Sequence, residues 1–343
     1  MKAVYITGHG GNEVVAIGER PMPVRKPGEV LVRMHAATLN RVDLYMRDSG
    51  AGITHRLPQI MGLDGAGVVE AVDADEVSVK PGQRVVVHPG IACGRCEFCR
   101  RGEDVLCTAI QYLGEHRDGT LAEYVSVPAR NVFPKPGALS DAEAAALGVN
   151  HLTAWRMLFT KAQLKAWETV LIFGVGGGVS LAALQLAKLA GARVIVTSRT
   201  DDKLRRALAM GADHAIHSGT HEVSKQVMAL TGGRGVDVVF ENVGAEVWSS
   251  AMKSLVRGGR LVTCGATSGD QPPADLRRIF IRQLQILGST LGNLDEFAAL
   301  LALVERSAMR PVIDAEYPMD QAHAALDHLA AGERFGKIAI RIA

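Results

Sequence analysis

The stretch Thr169–Arg199, TVLIFGVGGGVSLAALQLAKLAGARVIVTSR, changes residue pattern three times in about 30 residues. An apolar run, Thr169–Phe173, stops at Gly174, Gly176, Gly177 and Gly178. Leu181, Leu184, Gln185, Ala187 and Lys188 then fall at helical spacing, and Gly191 closes that helix. Arg193–Thr197 reads as a second strand. Strand, glycine turn, helix and strand in this span make a βαβ unit.

The turn of such a unit brings backbone against a pyrophosphate, which a Cβ would block. The following helix presents free N–H groups and a positive dipole end to the anion. The strict G-x-G-x-x-G spelling fails, because from Gly174 its third glycine would fall on Val179; Gly174, Gly177 and Ser180 fit a variant with serine in the last small position. The candidate dinucleotide-binding set is therefore Gly174, Gly176, Gly177, Gly178 and Val179. A tight turn without a ligand is the alternative. The end of the second strand selects the dinucleotide. An acid there would hold a ribose 2′-hydroxyl, and a basic residue would accept a 2′-phosphate. Here Ser198 is followed by Arg199, with Lys203 a turn later, so NADP(H) is expected. The alternative is that Asp201 caps the next helix, as Thr200–Asp202 would suit, and that Arg199 is merely in solvent.

Three hundred and forty-three residues exceed one ordinary core and suit two domains. Hydrophobic residues are 48% and net charge is +2, which excludes nucleic acid or an anionic membrane as the main partner. The N-terminus, MKAVYITGHGG, has no apolar signal region, and no apolar run reaches about 18 residues, so a cytoplasmic protein is expected.

Residues 1–90 are β-rich. Val14–Ile17, Glu29–Met34, Gly67–Val72 and Arg84–Val87 are separated by turns such as Pro27-Gly28 and Pro81-Gly82, as in a small barrel. Asn40–Arg47 is expected to be helical and to pack on that barrel. Cys93, Cys96, Cys99 and Cys107 follow with spacing C-x2-C-x2-C-x7-C. Four thiolates close a tetrahedron around zinc and leave no open position, so one structural zinc per chain is expected; an iron–sulfur cluster is the weaker alternative. The fifth cysteine, Cys264, reads as core packing. Residues 118–134 return to strands, and Asp141–Leu164 is helical, capped by Ser140 or Asp141. Helices at Asp202–Met210, Thr220–Leu230 and Glu246–Leu255 then alternate with strands at Val236–Phe240, Gly259–Cys264 and Leu284–Ser289. This is a doubly wound parallel sheet over 150–290. Helices at Asp295–Glu305 and Gln321–Ala331 and a strand at Lys337–Ile342 are expected to rejoin the first domain.

A β-rich front domain with a four-cysteine lobe, a dinucleotide-binding domain and a closing FGKIAIRI resembles the medium-chain dehydrogenase/reductase superfamily over nearly the whole chain. The phrases Gly62-Leu-Asp-Gly-Ala-Gly67-Val68, Leu152-Thr153-Ala154, Gly235-Val-Asp-Val-Val-Phe240 and Gly258-Gly259-Arg260-Leu261 carry the likeness. It implies an α/β fold: a GroES-like domain, 1–149 with 291–343, and a Rossmann domain, 150–290. Zinc alcohol dehydrogenases of this superfamily hold a second, catalytic zinc. Its three ligand positions match Asn40, Leu63 and Val149 here, which cannot make such a site. The structural site is kept and the catalytic one lost. Without a Lewis acid, hydride addition to an alkene conjugated with a carbonyl is the more suitable chemistry, because hydrogen-bond donors suffice at the oxygen.

The Asn40…Asp43…Tyr45…Arg47 phrase resembles the zinc-free quinone oxidoreductase and enoyl reductase branch, in which the asparagine and tyrosine lie by nicotinamide and substrate. The expected activity is NADPH-dependent reduction of an α,β-unsaturated carbonyl compound, enoyl-CoA or quinone. Tyr45 is the candidate acid, with a packed aromatic as its alternative, and Asn40 the candidate holder of nicotinamide ribose or substrate oxygen. Asp64 is expected in a supporting, arginine-paired role, and Thr153 beside the nicotinamide. Gly265, Asn293 and Lys337 complete the cofactor-binding candidates. His151 could shuttle a proton, and Arg277 and Arg278 could meet an anionic tail or simply face solvent. A metal recruited by His35, Asp43 or His151 for alcohol or aldehyde oxidation is the competing enzyme; a non-enzymatic NADPH-binding protein is the competitor from another class. A homodimer or homotetramer through the sheet edge near Leu287–Leu291 is expected.

Overall fold

A computed structural model describes residues 1–73 and 78–342. The chain divides into two compact units: Met1–Leu152 with the chain from Leu291 onward, and Thr153–Thr290.

The first unit is built on Glu29–Leu39, an eleven-residue strand. It runs five residues past the expected end at Met34, because His35-Ala-Ala-Thr-Leu39 continues an extended, mostly buried run. A seven-stranded sheet forms around it in the order Val132–Pro134, Arg84–Val87, Asp64–Ala71, Glu29–Leu39, Lys337–Arg341, Ile313–Pro318, with Tyr124–Pro128 also pairing Glu29–Leu39. Gly67 is required there, since a Cβ would overlap the Arg33 carbonyl of the neighbouring strand. Lys337–Arg341 runs antiparallel to Glu29–Leu39 with Ile338 opposite Leu39. That register brings Lys337 to the end of the central strand. A smaller sheet joins Lys2–Ile6 to Val15–Glu19 and Gln59–Ile60. Val30, Val32, Met34, Val69, Val85 and Val87 fill one core of this unit, and Ala37, Leu39, Leu326, Ile338 and Ile340 another.

The second unit is a six-stranded, wholly parallel sheet ordered His214–His217, Arg193–Ser198, Thr169–Ile172, Val236–Glu241, Leu255–Thr263, Gln285–Gly288. Order 3-2-1-4-5-6 in sequence is the doubly wound arrangement. Its inner strands are buried on both faces, which explains their continuous apolar runs.

Several expectations need correction. His214–His217 is a strand the sequence did not suggest, since it pairs on one side only and Ile216 is its one fully buried residue. The helix expected from Thr220 starts at Val223, because the backbone N–H groups of Thr220 and His221 turn back onto the His217 carbonyl. The Asp141–Leu164 run is helical only to Lys161 and carries two π-turns, Leu147–His151 and Arg156–Lys161. Ser140 is its cap, accepting from the Glu143 N–H at 3.1 Å. Leu276–Arg282 is an additional short helix; Arg278 pairs with its capping residue Asp275 at 3.2 Å. Among the described residues no helix is long and apolar enough to cross a membrane.

Candidate functional site

Where Glu29–Leu39 ends, Asn40 caps the helix Arg41–Ser49. The Asn40 N–H donates to Asp43 Oδ2 at 2.7 Å, and the Gly62 N–H donates to Asp43 Oδ1 at 3.1 Å. Asp43 thus ties the cap to the Gly62 turn. Burial pushes its carboxyl up to about 7, and neighbouring Asp64 adds to the rise. Lys337 reaches the same spot from the last strand. Its Nζ donates to the Leu39 carbonyl at 2.8 Å and to Asn40 Oδ1 at 2.6 Å, and lies 3.6 Å from Asp64 Oδ2. Asp64 also accepts from Thr38 Oγ1 at 2.7 Å and Asn40 Nδ2 at 3.2 Å. The partner expected for Asp64 was an arginine; it is Lys337. Burial lowers the Lys337 pKa, opposed by the two carboxylates. Asn150 completes the group, donating through Nδ2 to Asn40 Oδ1 at 2.7 Å.

Asn40 and Lys337 therefore meet in one buried network, to which Asp43, Asp64 and Asn150 belong. Tyr45 lies outside it, 39% exposed on the Arg41–Ser49 helix. Asn293 caps the Leu294–Arg306 helix, and its side chain accepts from the Val105 N–H at 3.0 Å. The residues proposed for an alternative metal do not converge. His35 pairs with Asp141 at 3.1 Å, buried His151 lies 3.3 Å from the Ala146 carbonyl, and Asp43 is bound as above. Glu115, which no sequence signal marks, is buried close enough to Asp43 for the two charges to interact; burial first, then Asp43, pushes it up to about 7.

The four cysteine sulfurs lie within 4.8 Å of one another, and among the described residues they are the only group of His, Cys, Asp or Glu side chains able to hold a metal ion. Tetrahedral zinc with Zn–S near 2.3 Å needs S···S edges of about 3.8 Å. Cys96–Cys99 at 3.5 Å and Cys93–Cys99 at 4.0 Å bracket that value. Cys107 Sγ already accepts the Cys93 N–H at 3.2 Å, as a thiolate would. The donor set fits zinc.

In the second unit, Gly174 (φ +65°) and Gly176 (φ +116°) adopt the left-handed conformations the turn needs. Gly177 caps the helix Gly178–Leu189 with no side chain on the first-turn N–H groups of Gly178, Val179 and Ser180. A Cβ on Gly177 would meet only the Gly174 carbonyl, at 3.7 Å, so it would intrude on open space over those donors. Ser180 Oγ instead points down, donating to the Phe173 carbonyl at 2.8 Å. This cradle fits a dinucleotide phosphate. At the tip of Arg193–Ser198, buried Ser198 accepts the Thr200 N–H at 3.2 Å, Arg199 is exposed and Lys203 is half-buried. Gly265 follows the Leu255–Thr263 strand, where a Cβ would press the Asn242 carbonyl at 2.9 Å. Thr153 is buried near the start of this unit. Cys264 is half-buried behind Glu241; burial raises its thiol to about 12.

Comparison with known proteins agrees with both units. Residues 26–137 match the family model described as alcohol dehydrogenase GroES-like domain, and residues 178–306 that described as zinc-binding dehydrogenase. An NAD-dependent alcohol dehydrogenase of Sulfurisphaera tokodaii is 31% identical over 92% of this chain and 93% of its own. The quinone oxidoreductase of Mus musculus is 29% identical over 97% and 95%. A crystal structure described as an NAD-dependent alcohol dehydrogenase is 42% identical, covers 100% of both chains and superposes with a TM-score of 0.97.

Proposed function

Because the chain belongs to the zinc-type alcohol dehydrogenase-like branch of the medium-chain dehydrogenase/reductase superfamily and is an oxidoreductase, we propose that it reduces an activated C=C bond with NADPH and no catalytic metal. The acceptor is an α,β-unsaturated carbonyl compound, an enoyl-CoA or a quinone. One observation carries this reading: the Lys337 ammonium is bonded to Asn40 Oδ1, where the superfamily's first zinc ligand would stand. A cation already occupies that oxygen, and Leu63 and Val149 at the other two positions offer no lone pair.

When bound, the reduced nicotinamide supplies a hydride and its electron pair. The first-turn N–H groups after Gly177 would hold the pyrophosphate, with Arg199 and Lys203 toward a 2′-phosphate. Asn40 is fixed by Lys337 and Asn150, so it cannot rotate during turnover. As the alkene pair shifts and negative charge arrives on the carbonyl oxygen, hydrogen-bond donors placed at that oxygen would stabilise it; Asn40 cannot be one of them, since its Nδ2 already donates to the Thr38 carbonyl and to Asp64 Oδ2.

The names of the relatives favour a second reading, NAD-dependent alcohol oxidation. One assay separates the two. NADPH and NADH oxidation are followed with cyclic enones, quinones and enoyl-CoAs, beside NAD+ and NADP+ reduction with primary and secondary alcohols. Turnover of NADPH with an enone or quinone is expected. Alcohol oxidation alone supports the second reading, and equal or better rates with NADH overturn the role given to Ser198 and Arg199. No turnover in any arm leaves a non-enzymatic nucleotide-binding protein.

A further inference from the structure

The buried network contains one side chain whose hydrogen bonding is incomplete. Asn150 is only 6% exposed. Its neighbours fix which way its amide faces. A lysine ammonium can only donate, so the Asn40 atom 2.6 Å from Lys337 Nζ is the carbonyl oxygen Oδ1. The Asn150 atom 2.7 Å from that same oxygen must then be the donor Nδ2. One Nδ2 proton is used in this way. The second proton and Oδ1 have no partner among the described residues. Asn150 Oδ1 is not among the fully buried polar atoms left without a partner, so the open side of this otherwise buried amide reaches solvent, where another group can bind.

The local backbone is shaped to put it there. Leu147–His151 is a π-turn, in which the Leu152 N–H reaches back to the Leu147 carbonyl. Such turns interrupt a helix at a cost and are frequent at functional sites. Gly148 lies so close to the central sheet that a Cβ would meet Asp64 Cβ at 2.8 Å and the Val87 carbonyl at 3.1 Å. With no side chain at 148, the turn seats directly on Asp64 and carries Asn150 onto Asn40. Lys337, Asn40 and Gly148 together therefore hold one amide with a donor to spare.

We infer that the free Nδ2 proton of Asn150 donates to the carbonyl oxygen of the substrate, making Asn150 the hydrogen-bond donor that stabilises charge there. This rests on the proposed reduction for the identity of the oxygen, but the placement of the donor can be tested separately. Two variants are used, Asn150→Leu and the isosteric Asn150→Asp; both lose the spare donor and also the bond to Asn40 Oδ1, so the crystallographic arm below separates the two losses. NADPH oxidation is measured with 2-cyclohexen-1-one and 1,4-benzoquinone, NADPH affinity by fluorescence, and thermal stability by scanning calorimetry. Loss of one such donor is expected to lower kcat by about a hundredfold, with NADPH affinity changed less than about twofold. A variant that melts earlier yet keeps its kcat shows a purely structural amide and overturns the inference. A crystal structure of the wild-type protein with NADPH and 2-cyclohexen-1-one provides the independent arm. The enone oxygen within about 3.2 Å of Asn150 Nδ2 supports the placement even if no acceptor turns over, in which case only the proposed reaction falls. Water at Nδ2, with the enone oxygen elsewhere, overturns it even if the reaction is confirmed.

Discussion

Replacing Lys337 by methionine keeps most of the volume and removes the one cation of a buried group that contains two carboxylates. Nζ lies 3.6 Å from Asp64 Oδ2, and Asp64 is wholly buried. At an effective dielectric constant near 20, that separation corresponds to a gross attraction of about 5 kcal/mol. The net loss differs, because desolvation of the lysine is recovered while Asp64 stays buried. Breaking a buried pair from one side costs roughly 3–5 kcal/mol, or about 6–20 °C in Tm for a unit of this size. The loss should depend on pH. A carboxyl whose folded pKa is raised favours the folded state below its unfolded value and loses that contribution as pH rises through the folded one. Asp43 already stands near 7 with the lysine charge holding it down, so removing the lysine raises it further. The gap between wild type and variant should therefore be widest above pH 8 and narrow toward pH 5. Melting curves by circular dichroism from pH 5 to pH 8.5 measure this directly. A deficit that is equally large at pH 5 would refute the counter-ion role and leave Lys337 as a packing residue.

Three further outcomes follow from the same structure. Glu115→Gln should stabilise the protein by about 3 kcal/mol at pH 8, because the wild-type carboxyl, raised to about 7, weakens the fold as pH climbs from about 4.5 through 7; an unchanged pH–stability profile would contradict this. Metal analysis should find one zinc per chain, and Cys96→Ser should lose it and lower the melting temperature; two zincs per chain would place a second metal outside the cysteine lobe. Gln285–Gly288 pairs with a neighbour on one side only, and Leu276, Phe280 and Ile286 beside it are exposed. An open apolar edge calls for a cover, so the wild-type protein should sediment faster than a monomer and Ile286→Lys should sediment closer to one, while equal coefficients would leave this edge uninvolved.

What could be read in the sequence was what neighbours along the chain determine. The glycine turn was legible because its left-handed positions, its helix and its strands lie within one βαβ span. The cysteine lobe was legible because three of its ligands fall within seven residues. Short-range signals failed where one residue had to stand for an element. His214–His217 buries a single isoleucine fully and so shows no alternation. Leu276–Arg282 begins from Asp275 in a left-handed conformation (φ +44°), which its residue type does not announce. The Lys337–Asn40 bond spans 297 positions. It follows from the register of two strands, which no local pattern encodes. Asn150 gave a faint signal, a polar residue within an apolar helical run. Its meaning depends on Gly148 seating against Asp64, a contact between distant segments.

The two polar centres of the first unit are built on opposite logic, and this difference bears on the chemistry. In the cysteine lobe, four soft donors converge with no cation among them. Around Asn40, the cation is already present as a side chain, and its donors are spent on it. A divalent ion placed about 4 Å from that ammonium would meet a repulsion of about 8 kcal/mol at an effective dielectric constant near 20. Asn40, Leu63 and Val149 offer no set of three ligands to offset it. Metal could enter only if Lys337 lost its proton. Burial pushes in that direction, but Asp64 and Asp43 oppose it. Zinc added to the holoprotein should thus leave the rate unchanged, whereas a zinc-dependent rise in rate that grows with pH would show that Lys337 yields its place, and with it the reading of a metal-free site would fall.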